Sequence, residues 1–201
     1  MAGHYYSAKP DVKSDRQTVE TKIRDFSFRF VTDAGVFSKS AVDYGSRVLL
    51  ETLTINPDAK VLDVGCGYGP IGLTAAKLAP QGHVTMIDIN ERAVELARHN
   101  AKLNGIANVT IVQSDLYEKV KDAAFDTILT NPPIRAGKAV VHRIFEEGYE
   151  RLVPGGRMWV VIQKKQGAPS AEAKLLSLFG QVDEITKDKG YRIFCAVKSG
   201  E

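Results

Sequence analysis

Short apolar runs alternate along this chain with stretches of helical period. Val61, Leu62 and Val64 form a run of the kind a buried parallel strand needs. Residues 83–87, 109–112, 125–130 and 157–163 repeat that pattern, and residues 70–79, 91–103, 138–152 and 171–179 read as helices. Pro70 suits a first helical position, Asn90 an N-cap, and Asn104-Gly105 a helix stop. Two shorter strands are expected over 182–186 and 191–197. Upstream, Phe26, Phe28 and Phe30 alternate with Ser27 and Arg29, the period of a half-buried strand. Asp33-Ala34-Gly35 reads as a turn and Val36-Phe37 as a returning strand, which predicts a hairpin beside the glycine-rich stretch at 65–72. A helix is expected over 41–53, with Ser40 as its cap and Val42, Leu49 and Leu53 facing inward. Strands alternating with helices predict an α/β fold, a mostly parallel twisted sheet with helices on both faces, preceded by the hairpin and first helix.

Glycines fall at Gly65, Gly67, Gly69 and Gly72, between the first parallel strand and its helix. Such a loop lets backbone approach a ligand closely, and the N–H groups at the helix start remain free to bind it. No Gly-Lys-Ser/Thr ending follows, which speaks against a nucleoside-triphosphate loop. The strand ends in Asp63, whose charge would repel a pyrophosphate but suit a cofactor with an amino group and no phosphate. S-adenosylmethionine is such a cofactor, and Asp63-x-Gly65-x-Gly67-x-Gly69 resembles the first motif of class I methyltransferases.

Ligands of such sheets bind at the carboxyl ends of the strands. Polar residues stand at successive strand ends: Asp63, Asp88, Asp115 and Asn131. Asp88 lies 23 residues beyond Gly65, which suits a carboxylate accepting ribose hydroxyls. Asp115 is placed to accept from an adenine amino group. Helix caps and turn formers are the bland alternative for any one of them.

Asn131-Pro132-Pro133 closes the fourth strand. An amide oxygen on Asn131 and the carbonyl of Pro132, held by two locked rings, can accept both hydrogens of a planar amine. That would turn the nitrogen lone pair toward a methyl donor, so positioning alone could drive an in-line transfer. The stretch looks like the Asn-Pro-Pro group of amino-methyltransferases, which implies adenine, cytosine, guanine or a glutamine amide as acceptor.

Composition alters this picture little. The 201 residues fit one domain, with residues 21–201 as its body and 1–20 as a basic arm, either frayed or touching RNA. A net charge of +3 permits an anionic partner without demanding one. Arg135, Lys138, His142 and Arg143 cluster after the Asn-Pro-Pro turn, and Lys164 and Lys165 end the next strand, a candidate phosphate-tracking surface around Ile134. No apolar window suits a membrane span or secretory signal, and two cysteines, one inside the glycine loop, fit a reduced cytoplasmic setting. His4, His83, His99 and His142 lack metal-ligand spacing, so no metal is assigned.

The flanks narrow the resemblance. Gly35-Val36-Phe37-Ser38-Lys39, Asp43 with Gly45-Ser46-Arg47, the glycine loop, Asn131-Pro132-Pro133, Lys164-Lys165 with residues 167–171, and Lys189-Gly190-Tyr191-Arg192 together resemble the ribosomal RNA small-subunit guanine-N2 methyltransferases. The resemblance runs from about Phe26 to Val197 and implies a Rossmann-like class I fold. It implies S-adenosylmethionine bound by Gly65, Gly67, Asp88, Asp115 and Asn131, and ribosomal RNA or a ribosomal subunit as partner. Larger members carry two tandem domains, and this chain resembles their catalytic half standing alone. Where those relatives have Phe and then His after Asn-Pro-Pro, this chain has Ile134 and Arg135. The rival readings are a glutamine-N5 or other nucleobase-amine enzyme, and an RNA-binding assembly factor that lost activity.

Overall fold

The computed structural model describes residues 6–200. An antiparallel hairpin, β1 (Gln17–Ile23) and β2 (Phe26–Thr32), leads into helix α1 (Tyr44–Thr52). Then follow β3 (Lys60–Val64), α2 (Pro70–Leu78), β4 (His83–Asp88), α3 (Glu91–Leu103), β5 (Val109–Gln113) and β6 (Phe125–Thr130). The chain ends with α4 (Lys138–Arg151), β7 (Leu152–Gln163), α5 (Ala168–Phe179), β8 (Val182–Asp188) and β9 (Tyr191–Val197). The main sheet has the order β5-β4-β3-β6-β7-β9-β8. Strands β3 to β7 pair in parallel, and β9 runs antiparallel to both β7 and β8.

Period-two alternation divides each central strand between two apolar layers. Val61 of β3 and Trp159 and Val161 of β7 join α1, α2, α3 and the hairpin on one face. Leu62 and Val64, with Met158, Val160 and Ile162, join α4 and α5 on the other. The α/β architecture expected from the strand–helix alternation is the one observed. The chain leaves β3 for β4 and β5 on one side, then crosses back to β6 on the other. The ends of β3 and β6 therefore flank the switch point, where open α/β sheets bind ligands.

Three local expectations need correction. The partner of the Phe26–Phe30 strand is not Val36-Phe37 but β1, upstream of it. Ile23 pairs with Phe26 across a two-residue turn in which Arg24 takes a φ of 52°. The Arg24 guanidinium holds that turn down by donating to the carbonyls of Leu50 of α1 (2.6 Å) and of Leu53, the residue that caps its end. Residues 33–39 form instead a closed loop, cinched by Thr32 Oγ1 donating to the Lys39 carbonyl at 2.5 Å. The cap of α1 is Asp43, not Ser40: its Oδ2 accepts the Ser46 N–H at 3.1 Å, so the helix starts at Tyr44. The strand expected from residue 157 begins at Leu152, because Gly155 and Gly156 exchange backbone hydrogen bonds with Lys198 and continue the ladder.

The hairpin does pack beside the glycine loop. Phe30 lies 5.8 Å from the Tyr68 ring, and the Asn100 amide of α3 bonds Val31 and the Tyr68 carbonyl. The boundary expected at residue 20 falls inside β1.

Candidate active site

At the switch point lies an open cleft. Its floor is the glycine loop. Gly65 and Gly67 have φ of 75° and 56°, a region that favours glycine. A Cβ at either would meet no atom within 4 Å, so both face open space. The N–H groups of Gly65 and Cys66 bond the Ile87 carbonyl, and that of Gly67 donates to Asp88 Oδ2 at 2.8 Å. Pro70 and Ile71 bring the start of α2 to the same wall.

Asp88 therefore fixes the loop as well as lining the cleft. Its Oδ1 accepts from the Asn90 N–H at 2.8 Å. Burial pushes its carboxyl up to about 6 against the pull of these N–H bonds. A carboxylate oxygen has more than one lone pair, so acceptor capacity remains for hydroxyl groups in the cleft. Asp63 is placed differently. It is fully buried beneath the loop, on the α2 side of β3, and is not part of the cleft wall. Among the described residues neither of its oxygens has a hydrogen bond of ordinary geometry, though the Gly72 N–H favours its charged form. Burial, with the Asp88 charge adding, pushes it up to about 8. Asp115 is exposed, while its neighbours Ser114 and Leu116 line the cleft.

At the opposite end Asn131, Pro132 and Pro133 form the wall. The Asn131 Nδ2 donates to Asp43 Oδ2 and to Ser46 Oγ, both at 3.0 Å. A carboxylate only accepts, so Asp43 can pair only with the N–H side of the amide. With those hydrogens committed to α1, the Asn131 oxygen is the end left for a ligand. Asp43 and Ser46 are site residues to which the sequence assigned no role. The cap spacing Asp-x-x-Ser was the signal that could have placed Asp43, but nothing local couples it to a residue 88 positions away. Val36 and Phe37, expected in a strand, line the cleft instead together with Ser38, with Phe37 exposed at its rim.

Ile134 and Arg135 sit in a single 3-10 turn after the prolines; Ile134 packs on the α4–α5 core and Arg135 is exposed. Lys138, Lys164 and Lys165 are exposed, and among the described residues none of them, nor Arg135, has an acidic partner. Arg143 differs, pairing with Glu147 one turn on. The Lys164 N–H bonds the Gly190 carbonyl at 2.7 Å, which adds the β8–β9 turn and Lys189 to the same edge. Among the described residues no group of three His, Cys, Asp or Glu could hold a metal ion, and no helix is long and apolar enough to cross a membrane.

The profile of the methyltransferase small domain matches residues 27–195. The chain belongs to that family. This methyltransferase is 55% identical to a Bacillus subtilis protein, YbxB, described as uncharacterized, over 98% of the chain and the whole of that protein. It is 31% identical to a ribosomal RNA small subunit methyltransferase C of Hamiltonella defensa, over 94% of the chain and 55% of that protein. A T. thermophilus 16S rRNA N2 G1207 methyltransferase, solved with AdoMet and guanosine, superposes with a TM-score of 0.82 at 28% identity, over 94% of the chain and 52% of that one. The chain thus spans about half the length of these two named enzymes. Its cofactor is S-adenosylmethionine, and the cleft fits it: a floor open at Gly65 and Gly67, and a carboxylate at Asp88 with acceptor positions to spare.

Proposed function

We propose that this methyltransferase methylates the exocyclic N2 of a guanine in ribosomal RNA. The observation that carries the reading is the fixed Asn131 amide, its N–H side held by Asp43 and Ser46 and its oxygen left for the cleft. Asn131 Oδ1 and the Pro132 carbonyl accept the two amine hydrogens, and the rings of Pro132 and Pro133 restrict where that carbonyl lies. S-adenosylmethionine supplies an electrophilic methyl group bound to a sulfonium. An amine held by Asn131 and Pro132 that accepted this methyl would become acidic and could release its proton to water. A strong base is therefore not required of the protein.

RNA is favoured over a protein glutamine by the exposed cations Arg135, Lys138, Lys164 and Lys165 at the sheet edge around the cleft. The named relatives, both ribosomal RNA methyltransferases, support the same substrate class. Ile134 cannot stack on a base as an aromatic residue would, and Phe37 stands at the rim of the cleft. The test is to incubate the protein with labelled S-adenosylmethionine and ribosomal particles lacking the modification, then analyse the nucleosides. Label in N2-methylguanosine is expected. Label in a different nucleoside would correct the substrate; label in protein would favour the glutamine reading. No transfer to any ribosomal substrate would favour an assembly factor.

A further inference from the structure

The segment before β1 has a fixed course across the cleft end of the sheet. The Ala8 carbonyl accepts the Glu91 N–H at 3.0 Å, satisfying a free donor at the start of α3. Gln113 Nε2, at the end of β5, reaches the same carbonyl at 3.5 Å. Pro10 and Val12 press on Gly35, where a Cβ would stand 2.8 Å from Pro10 Cβ and 2.9 Å from Val12 Cγ2. Ser14 Oγ and the Asp15 N–H donate to the buried Asp33 carboxylate at 2.7 and 2.6 Å. These anchors lie on α3, β5 and the loop 33–39, all of which also supply or flank the cleft wall. They deliver one aromatic side chain, Tyr6, to the cleft itself, where it shares the wall with Asp88, Ile89, Ser114 and Leu116.

We propose that residues 6–15 act as a strap whose end, Tyr6, is a further cofactor-contacting residue that covers the adenosine end of the S-adenosylmethionine site. The inference rests on the cofactor occupying this cleft. The end is assigned by neighbours: Asp88 is the carboxylate placed for ribose hydroxyls, and Ser114 and Leu116 flank the β5 end. The strap's anchors on α3 and at the end of β5 hold Tyr6 at that end, and burial together with the nearby Asp115 and Asp88 charges raises its hydroxyl pKa. A tyrosine ring offers a large flat contact with few rotors to freeze, and its hydroxyl is a donor among acidic neighbours. Without the strap this end of the cleft would open to water beside α3 and β5.

The test compares Tyr6→Ala and Tyr6→Phe in the full chain by calorimetry, with S-adenosylmethionine, S-adenosylhomocysteine and adenosine as separate probes. Tyr6→Ala should weaken all three about tenfold, because all share the adenosine portion. Tyr6→Phe should stay within about threefold of wild type if the ring carries the contact. The melting temperature without ligand should be the same for all three proteins, since Tyr6 only rests on the mouth of the cleft. Amide exchange at residues 7–9 should slow when S-adenosylmethionine binds the wild type and less so in Tyr6→Ala. Unchanged affinity of Tyr6→Ala for every probe would overturn the proposal, as would a loss confined to the two sulfur-containing probes. If the wild type itself bound none of the probes, the cofactor assignment would fall, and the proposal with it, a result distinct from both.

Discussion

Asn131 can act as an oriented acceptor because Asp43 has no proton to donate. An amide at position 43 would remove that asymmetry, since it could meet either end of the Asn131 side chain. Asn caps a helix as well as Asp does, so Asp43→Asn should leave α1 and the melting temperature nearly untouched. Single-turnover methylation by Asp43→Asn is expected to fall about tenfold while S-adenosylmethionine affinity holds, the pattern of an acceptor no longer held in one orientation. Asn131→Ala removes the acceptor itself and should cost about a hundredfold, on the order of 3 kcal/mol, in the same assay. Asp88 gives a pH signature. Its folded carboxyl is raised to about 6, so below that pH the free protein holds it protonated. Ribose hydroxyls donate to the ionised form, which makes binding expel the proton. Affinity for S-adenosylmethionine should therefore be full above about pH 6 and fall as pH drops through it, approaching tenfold per pH unit. The same raised value makes Asp88 a stability cost that sets in as pH rises from about 4 to 6 and is constant above. Calorimetric titrations between about pH 5 and 8 check the first; an affinity flat across that range would remove Asp88 from the cofactor contacts.

At the scale of elements, α1 joins the Asn131 wall to the β8–β9 hairpin through Gly45. A Cβ there would lie 2.6 Å from Tyr191 Cδ1 and 3.1 Å from Asp43 Oδ2. Gly45→Ala must push the hairpin or the cap aside, which should cost about 1–3 kcal/mol of stability and disturb turnover through Asp43. A thermal melt together with single-turnover rates would show both effects, and an unchanged melt would mean that Tyr191 yields freely. The contrast between legible and illegible elements has the same physical basis. β3 to β6 and their helices could be read because buried parallel strands are continuous apolar runs and their helices carry local caps, as Asn90 does for α3. The partner of β2 was not legible, because Gln17–Ile23 is largely solvent-facing on one side and its turn, Arg24-Asp25, lacks a strong turn signal. That turn is held by Arg24 bonds to α1, which are tertiary. In the site, the strand-end residues Asp88 and Asn131 were legible from topology. Asp43, Ser46 and Tyr6 were not, because each reaches the cleft across long sequence separations. The burial of Asp63 beneath the loop was equally hidden, since strand alternation alone does not say which layer an end residue enters.

At the scale of the whole molecule, a net charge of +3 is too weak to draw RNA by itself, so the placement of the cations must matter more than their number. Parallel β6 and β7 end on the same edge of the sheet. Arg135 and Lys138 follow one, Lys164 and Lys165 follow the other, and Lys189 joins them from the β8–β9 turn. Arg143 lies in α4 but spends its charge on Glu147, so it should contribute less than its position in the sequence suggests. The prediction separates these cases. Lys138→Ala combined with Lys164→Ala should weaken binding of a ribosomal RNA fragment and reduce the slope of log affinity against log salt by roughly 1–2, about one for each phosphate no longer neutralised. Arg143→Ala should change the slope by less than either lysine. S-adenosylmethionine affinity should stay the same in all of these variants, because none of the three residues lines the cleft. Binding measured across a salt series checks the ordering. Equal slopes for wild type and the double lysine variant would make the edge an ordinary solvated face, and would move RNA recognition to Phe37 and the cleft rim.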